Sequence, residues 1–272
     1  MRRTRRSILA AAAFLALAAN ETPSDAAERW IDRPMTQHRL VFAGDAGIGV
    51  GHVRLRGPFN DAPSSTGMGM NLEGALGVTE RLELGFRTGV RFGNDGRASG
   101  ADYYARTLWT ETYGTGADTV ANPELRIRWV AYSGSITEVG LDGRVFLPVE
   151  DGTNFGMMFG VPLAFHVSDL LRIDTGVYVP IVFNDPTFHG FSIPGYFWFQ
   201  TSEKLWLGPM AQLRFIDPGI GALDAHLLLG FGLGYQVANA VDLKTMILFP
   251  SVEDDFARRV GAGFGVQFRI GD

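Results

Sequence analysis

Beyond residue 35, apolar and polar side chains alternate nearly everywhere along the chain. Residues 82–92 read LELGFRTGVRF: Leu82, Leu84, Phe86, Val90 and Phe92 share one face, and Glu83, Arg87 and Arg91 share the other. A period of two marks a β-strand with one dry and one wet face. Residues 171–183 repeat the pattern, with Ile173, Val177, Val179 and Ile181 set against Arg172, Asp174, Gly176 and Tyr178. In 258–270, Val260, Ala262, Phe264, Val266, Phe268 and Ile270 oppose Gly261, Gly263, Gly265, Gln267 and Arg269. The dry face packs either on a protein core or on lipid.

The connections favour lipid. Short polar breaks fall at 79–81, 133–135, 168–170, 202–203 and 238–239. They alternate with longer, wetter segments at 57–66, 94–121, 150–154, 184–189, 217–224 and 251–257. The runs between them predict strands at 38–54, 67–78, 82–93, 122–132, 136–149, 155–167, 171–183, 190–200, 204–215, 225–237, 240–250 and 258–270. Ordinary globular strands have about 5–6 residues, whereas a strand crossing a membrane needs about 9–11. An even strand number with short turns at one end and long loops at the other describes a transmembrane antiparallel up-and-down β-barrel. The expected fold is therefore all-β: a barrel of about twelve strands, with ten to fourteen compatible with the pattern. The soluble alternative is a two-layer sandwich, which also alternates but is expected to use shorter strands and less regular loops.

The N-terminus changes the compartment. MRRTRR is a basic region, and the apolar run that follows it is too short to span a bilayer. Small residues come next, so residues 1–27 read as a signal peptide. Arg5-Arg6 also loosely matches a twin-arginine leader. Residues 28–36 are expected to form an N-terminal periplasmic segment and 37–272 the outer-membrane barrel. The 272-residue chain has no cysteine, which excludes disulfides and thiolate metal sites. Its net charge of −5 leaves no basic footprint for nucleic acid. Outer-membrane lipid, lipopolysaccharide and the barrel-assembly machinery of a Gram-negative bacterium are the partners expected of a monomeric barrel. The acidic tip Glu253-Asp254-Asp255 could meet cations among lipopolysaccharide phosphates or simply be solvated.

Residues 77–85, GVTERLELG, resemble a hairpin that recurs in transporter-like barrels of Gram-negative outer membranes, including the group named for the MetA pathway of phenol degradation. Residues 122–129, NPELRIRW, look like the strand that follows the first long outer loop in that group. The match is structural and carries over no catalytic residue. It implies an outer-membrane barrel that moves small organic molecules.

Strand parity assigns a lumen. Strands three to five would set Arg87, Arg91, Arg126, Arg128 and Arg144 on one wall, against Glu124 and Asp142. A cationic excess in a narrow passage raises the local anion concentration, although chance variation of the inner face gives the same list. The opposite wall would carry Tyr196, Trp198, Met210 and Leu228. Near the short turns, Glu83, Glu138, Arg172, Asp174, Lys204, Asp242, Lys244 and Arg269 read as a paired belt, because buried charges need partners. Inner glycines such as Gly140, Gly160, Gly230, Gly232 and Gly234 either leave bore space or relieve crowding in a curved sheet. Pro148, Pro162, Pro180 and Pro194 predict kinks in strands five to eight, as shaping bulges or as a lateral opening. The loop 94–121, rich in aromatics, could fold inward or stand outside.

Candidate chemistry is thin. His166-Val167-Ser168 could mimic a hydrolase pair, but parity puts His166 in the lumen and Ser168 at a turn. His38, His52, His189 and His226 form no metal spacing, and no cofactor is implied. The chain is expected not to be an enzyme. The leading reading is a narrow channel or transporter for small amphiphilic or aromatic solutes. The alternatives are a barrel-embedded lipid hydrolase and a structural or surface-recognition barrel.

Overall fold

A computed structural model describes residues 28–54, 64–92, 119–150, 154–183, 185, 187–217, 224–250, 252 and 259–271. The proposed signal peptide, most of the loop 94–121 and the tip 253–255 lie outside these residues. The described residues form twelve strands: β1 (Phe42–Arg54), β2 (Ser64–Thr79), β3 (Leu82–Phe92), β4 (Val120–Ser133), β5 (Thr137–Phe146), β6 (Gly156–Ser168), β7 (Leu171–Val182), β8 (Phe188–Gln200), β9 (Leu205–Asp217), β10 (Asp224–Ala238), β11 (Val241–Phe249) and β12 (Arg259–Ile270). Each pairs antiparallel with its sequence neighbours, and β1 pairs with β12 from Phe42–Ile270 to Val53–Arg259. Closure leaves no sheet edge, which a sheet in hydrocarbon requires because an unpaired backbone group there costs several kcal/mol.

The alternation resolves as lipid-facing outside and polar inside. Leu84, Phe86, Leu125, Ile127 and Trp129 stand exposed on the outer face, while Glu83, Arg126 and Arg128 are buried inside. Among the described residues no second sheet covers the apolar face, so the sandwich alternative does not hold.

Four of the short hairpins carry a register shift just before the turn, at Gly77/Thr79, Val130/Tyr132, His166/Ser168 and Gln236/Ala238. One extra residue there tightens the local twist and starts the reversal.

The strand prolines act on one side only. Pro162 pairs with Gly176 on β7, but the β5–β6 ladder skips from Val139–Leu163 to Asp142–Gly160. Pro194 pairs with Gln212 on β9, but the β7–β8 ladder skips from Thr175–Gly195 to Tyr178–Ser192. Pro180 pairs with Met158, and the same β7–β8 ladder skips again to Ile181–His189. A proline has no N–H to donate, so the rung on its donor side is lost and the other side survives. At Pro194 the gap is patched: the Thr175 hydroxyl donates to the Pro194 carbonyl oxygen at 2.6 Å. Pro148 lies beyond β5 rather than within it, and is exposed. The last rung is Leu147 N–H to Pro123 O at 2.9 Å, after which Pro148 has no N–H to continue the strand.

Candidate functional site

The lumen has two unlike walls. On β3–β5 the arginines lie in an ion-pair network. Arg126 donates to Glu73 at 2.8 Å and to Glu83 at 2.9 Å. Arg144 donates to Glu124 at 2.9 Å and to Asp142 at 2.8 Å, and Arg128 also pairs with Asp142. Arg87 is buried on the same wall, opposite Glu73 in register. Arg91 continues this face by position, and its side chain lies outside the described residues. With Glu73 and Glu83 on this face, the four described arginines Arg87, Arg126, Arg128 and Arg144 meet four carboxylates, Glu73, Glu83, Glu124 and Asp142.

On β8–β11 the middle of the wall is aromatic and apolar, between buried Ser192, Gln212 and Arg214 toward the long loops and Gln200, Gln236, Asp242 and Lys244 toward the short turns. Tyr196, Trp198, Trp206, Met210, Leu228, Met246 and Leu248 form one buried cluster. Glycines make its shape possible. A Cβ on Gly232 would lie 2.9 Å from the Trp198 ring, and one on Gly234 would overlap the Trp206 ring. Gly160 likewise lies under Tyr178. These glycines therefore seat neighbouring rings instead of opening empty bore, which is the crowding-relief reading of the sequence.

The segment ahead of β1 enters the short-turn end of the barrel with Trp30, Ile31, Met35 and Thr36 buried and 38–40 exposed, where the sequence suggested a periplasmic segment over 28–36. A short 3-10 turn, Trp30–Asp32, brings Trp30 into the aromatic wall. Its indole stacks on Trp206 at 4.9 Å with 1° between the planes and meets Trp198 edge-on at 6.1 Å. Arg33 grips Asp242 through two hydrogen bonds, at 2.6 and 3.1 Å. Glu138 accepts from the Met35 N–H at 2.7 Å and Glu83 from the Gln37 N–H at 2.9 Å. Arg172 donates to the Arg33 carbonyl oxygen, and the His166 ring Nδ1 lies 2.8 Å from the Ile31 carbonyl oxygen. Met35 is buried where Gly140 has no side chain. Contacts from β3, β5, β6, β7, β8, β9 and β11 thus converge on one segment, which fills the mouth as a plug.

The belt expected near the short turns is therefore partly a socket. Arg172 pairs with Asp174 at 2.8 Å, Lys244 with Asp45 at 2.6 Å, and Arg269 with Asp242 at 3.0 Å. Glu83, Glu138 and Asp242 each also hold the plug. Lys204 is exposed at a turn. His166 is committed to the plug, while Ser168 is exposed and its Oγ accepts from the Leu170 N–H at 3.3 Å, so the two do not form a nucleophile pair. Among the described residues no cluster of His, Asp and Glu could hold a metal ion.

A closed barrel with a lipid-facing apolar girdle and a polar lumen has the architecture of outer-membrane β-barrels. Solved structures agree on the fold. The COG4313 outer membrane channel from Pseudomonas putida F1 matches with a TM-score of 0.57 at 9% identity, over 92% of this chain and 100% of that one. The KdgM porin matches at 0.54 and 10% identity, over 83% and 99%. The NanC porin matches at 0.53 and 9%, over 82% and 100%. No family model matches the chain, and no curated protein matches it either.

Proposed function

We propose that the protein is a channel of the Gram-negative outer membrane for small amphiphilic or aromatic organic solutes, and that passage requires the N-terminal segment to shift. The observation that carries this reading is the junction of an ion-paired wall and an aromatic wall around a latched plug. An amphiphilic solute can lay its ring on the aromatic wall while its polar group faces the ion-paired wall, whereas a pure hydrocarbon can do only the first. The fold shared with porins and a channel supports the same reading, as does the resemblance of 77–85 and 122–129 to the MetA-pathway group.

Liposome swelling with graded solutes tests it. The intact protein should pass small aryl alcohols slowly, and a variant lacking residues 28–36 should pass them several-fold faster. Equal, near-zero rates in both would sink the channel reading in favour of a structural barrel.

A lateral exit is a second reading, favoured by the broken β7–β8 ladder beside the aromatic wall. The chain has no native cysteine, so Val177→Cys with Ile193→Cys can close that seam specifically. Delivery of apolar aryl compounds into lipid should then fall while polar-solute flux persists. Unchanged delivery with the seam crosslinked would remove the side exit.

A further inference from the structure

Trp30 is the plug residue that enters the aromatic cluster as a flat ring, and apart from Arg33 over its face and Ile31 in the same cluster, the place it fills is built by the barrel. Trp206 supplies a parallel face and Trp198 a T-shaped contact, Met246 and Leu248 belong to the same buried cluster, and the Lys244 ammonium lies 5.7 Å from the Trp30 ring centre. Gly232 and Gly234 hold the two wall indoles in this arrangement. We propose that this place is a binding site for planar aromatic solutes carrying an oxygen acceptor, that Trp30 is its internal occupant, and that such a solute opens the plug by taking Trp30's place.

The class of ligand follows from what Trp30 leaves undone. The Trp198 Nε1–H is buried and has no acceptor among the described residues, and neither does that of Trp30. An indole side chain stacks well but offers no oxygen to either donor, and a buried N–H without a partner is unfavourable. A ring with a carbonyl, phenol or carboxylate oxygen could keep the stacking and accept from Trp198, with Lys244 adding cation–π attraction. Such a solute should therefore outcompete the unsubstituted ring. The tethered occupant lowers the apparent affinity of any rival, and removing it restores the intrinsic value.

The physiological meaning of this step rests on the channel reading, but binding can be measured without transport. The full chain in detergent micelles, labelled with 5-fluorotryptophan, gives a fluorine resonance for Trp30, assigned by its absence in Trp30→Phe. Oxindole is the probe, indole the ring without an acceptor, and cyclohexanol the non-planar control. Oxindole should move the Trp30 resonance saturably and bind tighter than indole. It should bind at least about tenfold tighter to Trp30→Ala, and about tenfold more weakly to Trp206→Ala. Trp206→Phe, which keeps a ring, should retain most of the binding and covers the case in which Trp206→Ala does not fold. An unmoved Trp30 resonance, unchanged affinity in Trp30→Ala, or displacement by cyclohexanol as effective as by oxindole overturns the proposal. Displacement without flux in any variant would uphold the site and overturn the channel instead.

Discussion

The wall formed by β3–β5 and the wall formed by β8–β11 face each other across one lumen and achieve burial in opposite ways. The first satisfies itself: Arg126, Arg128 and Arg144 find Glu73, Glu83, Glu124 and Asp142 within the barrel. The second is completed by Trp30, a ring delivered from outside the barrel sheet. A charge network inside a protein is costly to disturb, because each member left alone is an unpaired buried charge. A stacked ring contributes about 0.5–1.5 kcal/mol beyond its burial and can be exchanged for another ring. The difference separates a half that fixes the barrel's shape from a half that can trade partners.

That contrast can be broken first on the charged side. Asp142→Ala leaves Arg128 and Arg144 without their shared carboxylate and should cost about 3–5 kcal/mol. Thermal loss of the compact band in semi-native gels would read it, and an unchanged melting temperature would show that the network contributes little. Gly232→Val tests the aromatic side, since a side chain there must push against Trp198. It should cost about 1–3 kcal/mol in the same assay and weaken the seat for Trp30. Asp242→Asn weakens the grip on Arg33 without altering the rings. Single-channel conductance should rise several-fold, with a fall in melting temperature smaller than that of Asp142→Ala because the amide still occupies the place between Arg33 and Arg269; an unaltered trace would mean that the stacked ring alone holds the plug. Smallest is Pro194→Val, which restores a donor facing the β7–β8 gap. It should add about 0.5–1 kcal/mol and slow amide exchange at Gly176 and Val177.

The strands were legible because two independent patterns agree: a period of two, and lengths suited to a membrane rather than to a globular core. Glu83 and Leu84 suffice to show which side is wet. Arg126, Arg128 and Arg144 could be placed on one wall by parity, yet their partners could not all be named, because Glu73 pairs across the sheet from β2. The plug was not legible. Its eight or so residues have no period, and its anchors at Glu83, Glu138, Trp206 and Asp242 are spread over most of the chain. The available signal was Trp30 and Met35, large apolar residues in a stretch otherwise read as wet. Pro162, Pro180 and Pro194 announce broken rungs, but only the register shows that each break is one-sided.

The seam between β1 and β12 joins the first strand to the last. No enclosed interior exists until the C-terminal strand has been delivered, and Trp206 and Asp242 arrive late on β9 and β11. The segment just ahead of β1 therefore waits through nearly the whole of assembly before its socket is complete. Closing the β1–β12 seam and completing the socket around the plug therefore depend on the same last strands.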